Sequence, residues 1–336
     1  MQFYNTSFHH SISECRASIM GVAILSIMLF HQYFTSIFPF NFFHNFGYWG
    51  VDVFLLLSGM GLVNSLEKYD ILTFYKRRFM RIIPICLLCG TVKYSLFLLL
   101  GDSVTPIKNG LHIGPWSIAS LDLWFIHAII ILYAISPILY ILLKKRPIIT
   151  FACIFLISLC NSFTLLYQIG YEWFSLYGIT AWTLERLPVF TLGMWLSTEK
   201  KFDKRKTFIS ISFLLTAFII KIISKIDGTS CFIFNCVCLI LAFGTPALIQ
   251  VIIYVLQGAP SKIMEFLQLC GNHSLELYLV HEFIFYILMI HYVNCNPWIL
   301  LTVGFLLSFI LAYLSKKATT KIIESLSKCI RKKESF

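Results

Sequence analysis

Charge is scarce in this chain. Of its 336 residues only 13% are Asp, Glu, Lys or Arg, about half the usual globular share. A soluble fold is thereby excluded, because 58% of the residues are hydrophobic and so few charges cannot clothe that much apolar surface. No polar run is long enough to form a separate soluble domain. No pair of Cys-x-x-Cys spacings suggests zinc, and no metal is expected. The 11 cysteines suggest no disulfide framework, since most lie in apolar runs (Cys86, Cys89, Cys153, Cys160, Cys236, Cys238) and serve as small hydrophobes. No basic region precedes the first apolar run and no small-residue cleavage site follows it, so that run reads as a retained helix. The internal repeat that many transporters carry is not seen.

What is present is lipid-compatible sequence. The mean hydropathy is +0.80, and ten stretches are apolar enough to span a bilayer: roughly 18–38, 48–66, 80–100, 118–143, 148–167, 173–197, 207–226, 231–257, 264–291 and 297–315. The fold class is therefore all-α: a polytopic membrane protein with about ten transmembrane helices. Placing the N-terminus in the cytoplasm puts 22 of the 27 Lys and Arg in cytoplasmic segments and four outside, with Arg186 inside a span. That split is what orientation by loop charge predicts, and it puts both termini in the cytoplasm. It also accounts for the net charge of +11 without nucleic acid. Three regions follow: a cytoplasmic N-terminal segment 1–17, a membrane domain 18–315, and a basic cytoplasmic tail 316–336 that reads as an interfacial helix on anionic lipid. The longest loop, 101–117, is rich in Gly and Pro and reads as external.

Ionisable groups at membrane depth are costly and usually face an interior cavity. His31 closes the run GVAILSIMLFH and stands fifteen residues after Arg16, about 22 Å along a helix. A histidine there either meets a neighbouring helix or accepts a proton from a hydroxyl nucleophile. Arg78 and Arg81, in FYKRRFMRIIP, share a helix face at the cytoplasmic end of the third span. They either anchor the helix or bind phosphate, for which paired guanidinium groups are suited. Asp52 lies near the outer end of span two, where it either orients His31, binds a polar substrate or simply sits in the interface. Glu185 and Arg186 are adjacent, so they point about 100° apart and each needs a partner on another helix. Tyr278 and His281 lie three apart on one stripe of SLELYLVHEF.

Taken together these stretches resemble acyltransferase family 3, the bacterial integral-membrane acyltransferases that modify cell-surface glycans. The markers, in order, are GVAILSIMLFH, GYWGVDVFLLLSGMGLVNS, FYKRRFMRIIP, LDLWFIHAIIILYAISPIL, ERLPVFTLGMWL and LELYLVHEFIF. The resemblance runs from about residue 12 to 315. His31 takes the family's histidine position in span one. The family's arginine would fall at Met20, whereas here the arginine is Arg16, one turn earlier on nearly the same face.

That resemblance implies an acyltransferase drawing on cytoplasmic acetyl-CoA or another acyl-CoA. The acceptor would be a hydroxyl of an extracytoplasmic polysaccharide or lipid-linked glycan. The setting is membrane lipid, multi-pass in a bacterial inner membrane. Arg16, Arg78 and Arg81 would hold the donor's phosphates. His31 would deprotonate the acceptor or carry the acyl group itself, with Asp52 or Glu185 orienting its ring. Arg186 or Trp124 would stabilise the oxyanion, with His281 in the same polar interior. The rival class is a transporter of glycan or lipid-linked sugar, for which FGTPAL at 243–248 would be a helix break.

Overall fold

A chain in lipid must satisfy its backbone N–H and C=O groups within each segment, and the helix is the local way to do so. The structure, a computed structural model, describes residues 8–32, 34, 47–99, 124–167, 176–199, 203–226, 231–292 and 294–334. Among the described residues there are eleven α-helices and no strands. In chain order they are α1 Phe8–His31, α2 Trp49–Lys68, α3 Ile71–Leu99, α4 Trp124–Lys145, α5 Pro147–Tyr167 and α6 Leu176–Thr198. There follow α7 Lys204–Ile226, α8 Cys231–Gln257, α9 Ser261–Asn272, α10 Ser274–His291 and α11 Pro297–Glu334. Seven of these are long and apolar enough to cross a membrane: α1, α2, α4, α7, α8, α10 and α11. The other three expected spans fall on α3, α5 and α6. α3 carries four basic residues in its first half, α6 carries Glu185 and Arg186, and α5 is apolar over the shorter stretch Pro147–Ser162.

Three expectations need amending. Helix α1 starts at Phe8, so the segment 1–17 is helical from that residue; nothing in FHHSISECRASIM breaks it. The stretch 264–291 is two helices parted at His273, because Gly271 and Asn272 are weak helix formers. The tail, expected as an interfacial helix, is helical and continuous with the last span. α11 continues through Lys316 to Glu334, 38 residues without an internal Gly–Pro stop after the membrane stretch, about 57 Å in all. The external loop expected at 101–117 lies outside the described residues.

Close helix contacts are made at glycines. α2 crosses α6 where Gly59 faces Phe190 and Met194, and Gly193 faces Leu56. α1 crosses α9 where Gly21 meets Leu267 and Gly271 meets Ala17. Small residues let backbones approach this way in membranes. Helix α8 passes through Pro246 unbroken. The Ser210 hydroxyl of α7 donates to the Phe243 carbonyl (2.8 Å) and accepts from the Ala247 N–H (2.9 Å), bridging the rung next to the one that proline removes. The FGTPAL stretch is thus a mended helix. Along α7, Phe208, Leu215, Ile219 and Ile223 are exposed, the face a lipid-bathed helix presents.

Candidate active site

Five helices meet around a cavity of about 110 Å³. Its polar wall is basic. Arg16 of α1 donates from Nη2 to the Leu57 carbonyl of α2 at 2.9 Å. Gly61 makes room for that guanidinium, since a side chain there would touch Arg16 Nη2 at 3.3 Å. Arg78 of α3 donates to the Gly61 carbonyl (3.2 Å) and the Ser65 hydroxyl (2.6 Å). Its guanidinium also stands 5.9 Å from the Tyr133 ring centroid of α4. Arg81 lines the same cavity, and among the described lining residues none is acidic. Arg16 and Arg78, held by carbonyls, a hydroxyl and ring faces, together with Arg81 leave a net positive field for an anion to complete. Ser274 and Leu275, the first two residues of α10, also line the cavity. Met20 lines it as well; Arg16 and Met20, one turn apart, serve one space.

The other wall is apolar and leads to a pair of imidazoles. Phe54, Phe125, Ile129 and Tyr278 line it. The Tyr278 ring lies 5.8 Å from that of His281, one turn further along α10. His281 is fully buried. Its Nδ1 faces the carbonyls of Leu277 (2.9 Å) and Tyr278 (3.0 Å), and its Nε2 stands 3.0 Å from His31 Nδ1. His31 is the last residue of α1 and is half-buried. The segments reach this meeting in step: Gly21 and Gly271 share the α1–α9 crossing, and ten residues beyond each, on α1 and α10, His31 meets His281.

A second polar cluster lies between α2, α5 and α6. Arg186 Nη1 donates to Asp52 Oδ1 at 2.7 Å, with both side chains buried. Glu185 turns the other way: its Oε1 accepts from Asn161 Nδ2 (2.8 Å) and Ser162 Oγ (2.7 Å) of α5. The adjacent acid and base thus take partners on two different helices. Trp124, at the start of α4, packs edge-on against Trp182 of α6 at 5.3 Å.

The structure therefore sorts the sequence candidates into three groups. Arg16, Arg78 and Arg81 share the cavity, His31 meets His281, and Asp52 meets Arg186. The ring that His31 meets belongs to His281, while Asp52 and Glu185, considered as its orienting groups, are bonded to Arg186 and to α5. Tyr278, Ser65 and Gly61 join the site without having been singled out for it. Tyr278 had a signal in its three-residue spacing from His281.

A family model described as "Acyltransferase domain" matches residues 19–316, nearly the whole chain. None of the curated proteins and none of the solved structures matches it.

Proposed function

We propose a donor, an acceptor and a set of working residues from one premise: the chain belongs to the acyltransferase-domain family and is a membrane acyltransferase. The donor is an acyl-CoA, best tested as acetyl-CoA because it is small, entering from the cytoplasmic side. The acceptor is a hydroxyl of an extracytoplasmic polysaccharide or lipid-linked glycan, and the setting is a bacterial inner membrane. The observation that carries this reading is adjacency. A cavity with three guanidinium groups, and no acid among its described lining residues, is also lined by Tyr278, whose ring lies 5.8 Å from that of His281 in the imidazole pair.

Charge explains the first half. The phosphates of CoA suit Arg16, Arg78 and Arg81, and the thin, uncharged arm bearing the thioester suits the apolar wall of Phe54, Phe125 and Ile129. Proton chemistry explains the second. His31 takes the acceptor's hydroxyl proton while the oxygen attacks the thioester carbonyl, and the carbon–sulfur bond breaks. The proton then passes from the ring to sulfur, giving free thiol and the acyl ester. Transfer of the acyl group through the same ring nitrogen would use the same geometry. Asp52 and Arg186 act here as a buried pair that sets the α2–α6 register.

The test is His31→Ala in protein that inserts stably. Acylation of envelope glycan, read by mass spectrometry, should disappear; acylation at the normal rate would sink the reading. Changing Arg78→Ala together with Arg81→Ala should weaken acyl-CoA binding tenfold or more, with a shallower salt dependence. Unchanged binding would reduce both to anchors.

A further inference from the structure

We propose that His281 is a positioning residue that locks His31 in one tautomer, leaving Nε2 of His31 as the basic nitrogen. This rests on the reading of His31 as the group that takes the hydroxyl proton.

The assignment follows from which atoms face which. His281 Nδ1 stands 2.9 and 3.0 Å from two backbone carbonyls. A carbonyl oxygen only accepts, so Nδ1 of His281 carries a hydrogen. Charge at membrane depth is costly, and with both rings neutral Nε2 of His281 is then a lone pair. That lone pair lies 3.0 Å from His31 Nδ1, which must donate. A neutral imidazole has one N–H, so the remaining nitrogen of His31, Nε2, is unprotonated. His281 cannot itself be the base, because its one lone pair is already taken by His31.

The arrangement does with a neutral ring what a carboxylate does behind a catalytic histidine: it selects the tautomer and aims the imidazole. When His31 gains a proton at Nε2, its Nδ1–H bond to His281 becomes charge-assisted and strengthens. The rise in charge is shared along His31 Nδ1–H, His281 Nε2, His281 Nδ1–H and the Leu277 and Tyr278 carbonyls. No fixed anion has to be buried. Without His281, free imidazole chemistry no longer holds the hydrogen on Nδ1, and the ring is free to turn about its side-chain bonds.

The experiment uses the full chain in lipid nanodiscs with ¹⁵N-labelled histidine. The ring nitrogen shifts of His31, assigned by their loss in His31→Ala, should report hydrogen on Nδ1 in the unaltered protein. In His281→Phe they should move to hydrogen on Nε2. Turnover is followed as thiol release from acetyl-CoA with glycan extracted from the producing cell's envelope. His281→Phe should lower kcat 10- to 100-fold, with KM for acetyl-CoA within twofold. His281→Gln, whose side-chain carbonyl reaches the place of Nε2, should recover at least tenfold of that loss. The inference is overturned if His31 carries its hydrogen on Nε2 in the unaltered protein, a measurement that needs no variant to fold. It is equally overturned if His281→Phe keeps kcat within twofold, or if Gln is no better than Phe. A His31→Ala protein with full turnover would instead defeat the underlying assignment of the base.

Discussion

A methyl group at Gly271 should cost this protein both stability and turnover, although it lies ten residues from His281. Gly271 of α9 packs against α1. An added Cβ would stand 2.7 Å from the Ala17 carbonyl carbon and 3.0 Å from the Gly21 nitrogen. Carbon atoms in contact prefer about 3.5–4.0 Å, so the helices must part by roughly 1 Å. Neither neighbour can yield alone, because both contacts are to backbone. Such overpacking typically costs about 1–3 kcal/mol. The same displacement, carried up α1 and α10, stretches the His31–His281 contact from 3.0 Å to roughly 4 Å, beyond hydrogen-bonding range. Misplacement on that scale can cost about 100-fold in rate. Gly271→Ala should therefore lower the thermal midpoint and reduce kcat 10- to 100-fold. Gly258→Ala is the control, since a Cβ there meets only Val255 O at 3.8 Å. Thermal unfolding in nanodiscs and thiol release from acetyl-CoA read the two effects. If Gly271→Ala matches the Gly258 control in both, the tight crossing does not set the ring geometry and the reasoning fails.

Two further outcomes are expected. Replacing Arg186 by Met leaves Asp52 buried without its partner, which should destabilise by about 3–5 kcal/mol, whereas Arg186→Met combined with Asp52→Leu should recover most of the loss in thermal melts; equal instability of single and double variants would refute the pairing account. Asp70 accepts the Thr73 N–H at 3.0 Å at the start of α3, and hydrogen bonds from Thr73 hold its carboxyl below the usual range. A carboxyl lowered by folding stabilises above its ordinary titration and loses that contribution as pH falls through the lowered value. The stability gap between the unaltered protein and Asp70→Ala should accordingly narrow as the solution is acidified below pH of about 4, and the gap to Asp70→Asn should change in parallel, while the Asn and Ala variants keep a pH-independent difference between themselves.

The outline of the fold was legible in the residues because lipid leaves little choice: among the described residues, each of the ten expected spans falls on helix. The pairwise demands of adjacent charges were also legible. Glu185 and Arg186 could not face each other, and they took partners on α5 and α2. What the sequence did not disclose were contacts between distant segments. His31 and His281 are 250 residues apart, and no periodicity links them; only the glycine-bound course of α1 beside α9 and α10 does. The same holds for Asp52, whose position in span two suggested a tie to His31 and whose partner is Arg186. The break at His273 was hidden because apolar side chains continue on both sides of it, so hydropathy reads one span where hydrogen bonding makes two helices.

The shared march of α1 beside α10 makes the ring pairing an on-or-off affair. A slide of one helix along the other by a single turn, about 5.4 Å, would bring Leu277 or Phe285 opposite His31, and neither side chain has a nitrogen or oxygen to offer. Like teeth on a rack, the two helices either mesh at the right notch or present the imidazole with hydrocarbon.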